Sequence, residues 1–190
     1  MVKLSHLQAW LQSYRPTDPG EATHVSEMQA LLAENPLSWR RDSFAPGHFT
    51  ASAFLTSPAL DSLLLIFHPK LHLWLQPGGH VEAGDDSILA AARREAREET
   101  GLRQFSLHPA CPDIFDVDIH TIPARKDEPS HLHLDVRFLF VVSGDEVVQT
   151  EKQIKAHSWV SLDEAMTKSD ASVARAAEKV RRLAGEVQGK

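Results

Sequence analysis

Gly78-Gly79-His80-Val81-Glu82-Ala83-Gly84-Asp85-Asp86-Ser87 runs into Ile88-Leu89-Ala90-Ala91-Ala92-Arg93-Arg94-Glu95-Ala96-Arg97-Glu98-Glu99-Thr100-Gly101-Leu102, a glycine-rich turn feeding an alanine- and charge-rich segment. The second part predicts a helix over about Ser87 to Thr100, with Gly101 as its carboxyl cap. At about 100° per residue, Glu95, Glu98 and Glu99 fall within an arc of about 100°. Three carboxylates on one face repel one another, which costs stability unless something cationic sits there. Leu89, Ala92, Ala96 and Thr100 form a small or apolar flank suited to a core. Ala91 falls one turn before Glu95 and is expected to leave room for a bulky ligand. Glu and Arg at helical spacing ordinarily mark only a solvated surface, so the wider string has to decide.

That string resembles the Nudix box, G-x5-E-x7-R-E-U-x-E-E-x-G-U, where U is a bulky aliphatic residue. Its carboxyl half is complete here, with Ala96 a small occupant of one U position and Leu102 in the other. The amino half departs from the pattern. Eight residues before Arg94 stands Asp86, separated from Gly79 by six residues rather than five, so the Gly84–Ser87 loop is one residue longer. Asp85 or Asp86 could fill the role of the box glutamate, or both could cap the helix. The resemblance implies that Glu95, Glu98 and Glu99 bind a divalent metal through side chains and Gly78 through its carbonyl. It also implies that Arg94 positions the glutamates, with Arg97 available beside it. Trp74-Leu75-Gln76-Pro77 and Trp159-Val160-Ser161-Leu162-Asp163-Glu164 are similar to segments around the sheet of Nudix domains.

Outward from the box, the hydrophobic pattern changes period. Leu4, Leu7, Trp10, Leu11 and Tyr14, then Val25, Met28, Leu31 and Leu32, recur at helical steps, separated by Asp18-Pro19-Gly20 and ended by Asn35-Pro36. From Phe49 the pattern predicts a strand alternating through Ala51, Ala53 and Leu55, then a doubly buried strand over Leu63 to Phe67. Leu71, Leu73 and Leu75 form a short alternating piece halted by Pro77-Gly78-Gly79. Further strands are expected near 104–110, 114–121, 131–142 and 156–160, and one or two helices over about Leu162 to Val187. The expected fold is α/β: a Nudix-like α/β/α sandwich around a mixed sheet. Residues 1–40 read as an N-terminal helical extension and 41–190 as the Nudix domain.

Composition limits the partners. With 190 residues and 42% hydrophobic content, the chain suits a soluble fold. It holds no apolar run of the roughly 18 residues a membrane span needs. The amino terminus lacks the order of a secretion signal, and Cys111 is the only cysteine, which together favour a cytoplasmic location. A formal charge of -6 disfavours long nucleic acid as a partner. A small nucleoside diphosphate derivative remains compatible, because a magnesium ion, or manganese in its place, supplies positive charge locally. A homodimer is left open.

Outside the box, His131, His133 and Asp135 alternate with Leu132, Leu134 and Val136, so one strand face is polar. The reading is a wall of a binding site, with His133 and Asp135 as candidate substrate contacts, set against an ordinary solvent-facing side. His80, beside the glycines, and His48, after Pro46-Gly47, are further candidates for substrate phosphate. Glu151 is the positional candidate for a general base after the box, ahead of Asp135 and Glu128. Trp39, Phe44, Phe115 and Trp159 are expected in core packing. The expected activity is hydrolysis of a diphosphate linkage in a nucleoside diphosphate joined to another moiety, by water attack on phosphorus. Two rivals are an isopentenyl-diphosphate-isomerase-like enzyme and a catalytically silent Nudix module that only binds ligand. Cys111 lies outside the expected pre-box position for the first, and the clustered acids weigh against the second.

Overall fold

The structure, a computed structural model, describes residues 5–69, 71–143 and 156–189. The elements are α1 (Ser5–Ser13), α2 (Pro19–Glu34), β1 (Gly47–Thr56), β2 (Ser62–His68), β3 (Leu73–Leu75), β4 (Gly78–His80), α3 (Ile88–Thr100), β5 (Phe105–Leu107), β6 (Asp116–Ile122), β7 (His131–Val142), β8 (His157–Ser161), α4 (Leu162–Lys168) and α5 (Ala171–Gln188). The strands belong to one mixed sheet in the order β3-β2-β1-β7-β5, with β4 on β1, β6 on β7 and β8 on β2. Contacts gather into two units, one of Met1–Ser52, Gly78–Arg93 and Asp113–Phe138, the other of Ala53–Pro77, Arg94–Pro112 and Leu139–Lys190.

In the first unit the helical extension folds through capping and one buried acid. Asp18 accepts a hydrogen bond from Glu21 N at 2.9 Å, so Asp18 is the N-cap and Pro19 and Gly20 open α2. Glu21 is fully buried; its carboxylate accepts from Thr17 N at 2.6 Å and from the Tyr14 hydroxyl. Leu7, Leu11, Val25, Met28 and Leu31 are buried, and the Trp10 ring meets Phe138 edge-on at 5.7 Å. These contacts fit the helical stripe that the sequence shows.

One strand expectation here needs correction. β1 was expected to alternate, yet all ten of its residues are buried. Its small Ala and Ser positions are packed on both faces, so alternation of size is not alternation of exposure. The short piece does end at Leu75, and Gly78-Gly79 then opens a further strand, β4, antiparallel to β1 with Ser52 opposite Gly78 and Thr50 opposite His80. A Cβ on Gly78 would lie 2.2 Å from Ser52 Oγ, so the close strand pairing there requires glycine.

In the second unit, β2 pairs with β8 from Ser62↔Ser161 to Ile66↔His157 and buries Leu63, Leu64 and Leu65 completely. Leu71 is outside β3 and exposed, because His72 takes a left-handed backbone at φ 54° in the turn. Ser161 and Glu164 form a reciprocal capping box that starts α4. Asp170 caps α5, whose Val173, Ala176, Ala177 and Val180 are all fully buried at helical spacing.

Candidate active site

Helix α3 starts where the side chain of Ser87 accepts from Ala90 N at 3.1 Å. It ends at Gly101, whose φ of 73° and hydrogen bond to the Arg97 carbonyl at 2.8 Å close the last turn. The longer loop before it is absorbed locally. Asp85 folds back, its carboxylate accepting from Glu82 N at 2.8 Å while its own N–H donates to the Glu82 carbonyl at 3.0 Å. Asp85 is buried and Asp86 exposed, and Ser87 rather than either aspartate supplies the side-chain cap.

Within the second unit, Arg94 Nη1 donates to Glu95 at 2.9 Å and to Glu98 at 3.2 Å. Arg97 instead holds its guanidinium 5.6 Å from the centre of the Phe105 ring. Glu95 and Glu99 are half-buried and Glu98 is exposed. Burial pushes the Glu95 carboxyl above its ordinary range; Arg94 opposes this, while Glu99 and Glu98 push it further up. Glu95 and Glu98 thus share the Arg94 guanidinium. Ala91, expected to leave ligand space, is fully buried with Ala92 and Ala96. Residues 88, 91, 95 and 99 share a stripe, so the acids continue the buried face rather than oppose it.

Within the first unit, β1, β4, β6 and β7 assemble a polar ladder. Asp116, Asp118 and His120 on β6 stand opposite Arg137, Asp135 and His133 on β7. Arg137 is almost fully buried and contacts all three aspartates: Asp135 at 2.8 Å, Asp116 at 3.0 Å and Asp118 at 3.4 Å. Burial works against its charge, but the three carboxylates hold its pKa above the ordinary value. Asp135 also accepts from Thr50 at 3.0 Å and Ser52 at 2.8 Å, so it is a locked network member.

The histidines crowd at the end of this ladder. His48, His80 and His133 have ring centres 4.8 to 5.2 Å apart, with His131 5.0 Å from His48. Burial first, then the neighbouring imidazoles, depresses His80 to about 4 and His133 to about 3. His131 is buried and His133 half-buried, so this strand face is an internal wall and not a solvated side.

Trp39 and Phe44, expected in the core, line an open cleft of about 470 Å³ with Arg40, Arg41, Val81 and Glu128. Phe115 is buried as expected, whereas Trp159 is exposed. Glu151 lies outside the described residues. Arg137, Asp116 and Asp118 were missed, although the two-residue step from His133 to Asp135 continues to Arg137.

The NUDIX domain family model matches residues 47–183. The chain belongs to this family. Over 112 residues it is 33% identical to the phosphatase NudJ of Escherichia coli K12, covering 57% of this chain and 65% of the relative. The chain thus spans just under two thirds of the length of the curated relatives it matches. A Caenorhabditis elegans Ap4A hydrolase in binary complex superposes with a TM-score of 0.54 at 22% identity, covering 75% of this chain and 98% of that one. A NUDIX-family hydrolase from Clostridium perfringens gives 0.51 at 26% identity, covering 72% and 97%. The expected α/β/α sandwich with N-terminal helices is therefore the Nudix fold. Among the described residues, no helix is long and apolar enough to cross a membrane.

Proposed function

We propose that this Nudix chain is a divalent-metal-dependent hydrolase that cleaves a diphosphate linkage in a nucleoside diphosphate derivative, by water attack on phosphorus. The observation that carries the reading is the clustering of three carboxylates on α3. Glu95, Glu98 and Glu99 cluster on one face, Arg94 donates to the first two, and the Glu95 carboxyl is displaced upward by burial first and then by Glu99 and Glu98. An all-oxygen donor set of clustered carboxylates suits a hard cation such as magnesium or manganese. When bound, such an ion neutralises phosphate oxygens and polarises the bond to the leaving group. Arg94 keeps Glu95 and Glu98 in a fixed orientation, and the buried alanines beneath them keep the helix from shifting.

The cleft of Trp39 and Phe44 offers aromatic faces with guanidinium groups beside them, a combination suited to a nucleoside carrying phosphates. Arg41 is held there by Glu128 at 3.1 Å. The NudJ relative, a phosphatase by name, is consistent with a phosphate-bearing substrate. Cys111 sits in a turn closed onto His108, which gives the isomerase reading no added support.

The test is incubation with magnesium or manganese and a panel of nucleoside diphosphate sugars, dinucleoside polyphosphates, dinucleotide cofactors, nucleoside triphosphates and capped RNA. Products are identified by chromatography. Cleavage of a diphosphate linkage is expected, with Glu99→Gln lowering kcat by about 10²- to 10³-fold. Failure to cleave any member with either metal overturns the hydrolase reading. Full activity in Glu99→Gln overturns the placement of the metal.

A further inference from the structure

We propose that His48, His80 and His133 form a second metal site, distinct in donor chemistry from the acids of α3, that takes a transition-metal ion of the zinc class. The three residues come from β1, β4 and β7, and each offers a ligand atom within 4.8 Å of the other two. Tetrahedral binding at about 2.0 to 2.1 Å needs nitrogens about 3.4 Å apart, a closure that small imidazole rotations supply.

The protonation of His48 provides a second, independent pointer. Its Nδ1 lies 3.2 Å from the Ser43 carbonyl oxygen. A carbonyl can only accept, so Nδ1 carries the proton and Nε2 presents a bare lone pair. That Nε2 is buried with no hydrogen-bond partner, on a side chain that is itself completely buried. Leaving a buried acceptor unsatisfied costs about 1 to 3 kcal/mol in general. A ligating histidine that donates its other nitrogen to a backbone carbonyl is the arrangement by which metal sites fix ring orientation and tautomer. The lone pair of His48 is thus set for an ion.

Donor type selects the ion. Three imidazoles favour zinc, cobalt, nickel or copper over magnesium and calcium, which prefer oxygen. His80 and His133 are only half-buried, which leaves one side of the cluster reachable from solvent. Three protein nitrogens also leave a fourth coordination position for water or a small anion. The ion ties three strands that meet only through the sheet, so binding raises the stability of the fold by mass action.

The experiment uses the full-length chain without a histidine tag, stripped with chelator and dialysed against zinc alone. Bound metal is measured by mass spectrometry, and the melting temperature is followed with and without zinc. One equivalent of tightly held zinc is expected in the wild type and in Glu98→Gln, with a raised melting temperature. His80→Asn and His133→Asn are expected to bind about 100-fold more weakly or worse, since loss of a supporting partner alone costs 10- to 100-fold. Equal zinc retention by wild type and histidine variants overturns the site, as does loss of the zinc in Glu98→Gln. If the variants do not fold, X-ray absorption of the zinc-loaded wild type decides. Imidazole nitrogens at about 2.0 to 2.1 Å support the site, and an oxygen-only shell overturns it. None of these readouts depends on hydrolysis, so the hydrolase reading can fail while this one stands.

Discussion

An arginine shared between carboxylates is found both on the β6–β7 ladder and on α3, with opposite consequences. On β6 and β7, Asp116, Asp118 and Asp135 all reach Arg137, and the side-chain exposure of the arginine is 2%. On α3, Glu95 and Glu98 reach Arg94, whose exposure is 21%, while the Glu98 side chain is 58% exposed. The buried set must be satisfied by the fold itself, and Thr50 and Ser52 add hydroxyl donors to complete it. The set on α3 is partly exposed, so water screens it and a cation from outside can reach it. Similar groups therefore give a structural network in one place and a candidate catalytic face in the other.

The comparison breaks most readily at Arg137. Arg137→Met should cost about 3 to 5 kcal/mol in urea unfolding, because it leaves three buried carboxylates without their cation. A loss under about 1 kcal/mol would mean that the ladder is not the closed network described above. Gly78→Ala should come next, at about 1 to 3 kcal/mol, since its Cβ would press on Ser52, which holds Asp135.

Acid separates the two regions by sign. His80 and His133 are depressed from 6.5 to about 4 and about 3, so the unfolded chain binds their protons first. Their contribution is whole above about 6.5 and is lost as pH falls toward 4 and 3. Without metal, the His80→Asn and His133→Asn double variant should lose less stability than wild type across that range. Glu95 is displaced upward, so the folded state protonates it first. The stability this brings is present below the ordinary glutamate pKa and is lost as pH rises through the raised value. Glu95→Gln should therefore gain a little stability at neutral pH, a gain that shrinks on acidification; equal pH profiles for the two proteins would show that folding does not raise the Glu95 carboxyl.

Much of the fold was legible because period reports burial. The apolar run at 63–65 marked β2 directly, and the tail over 162–187 read as one or two helices, of which α5 buries Val173, Ala176, Ala177 and Val180. β4 was not legible, because Gly78-Gly79-His80 has no strand pattern and owes its form to pairing with β1. The acidic face of α3 could be read from helical spacing and from the box together. The histidine cluster could not, since residues 48, 80 and 133 are brought together only by strands distant in sequence. Trp39 and Phe44 illustrate the converse error: their hydrophobicity suggested a core, and the structure uses them to line a cleft. Arg137 was within reach, because the polar alternation through 131, 133 and 135 continues to it.

The turn that Asp85 closes onto Glu82 also bears on how this gene can vary. A codon gained or lost in the 84–87 loop changes only the size of a turn before the Ser87 cap. The same event between Arg94 and Glu99 would rotate everything beyond it by about 100° around the axis. Relatives should therefore differ in length on the amino side of Ser87 and hold one length between Ser87 and Gly101, so a fixed-spacing search anchored on the loop would overlook some members that the helix alone would find.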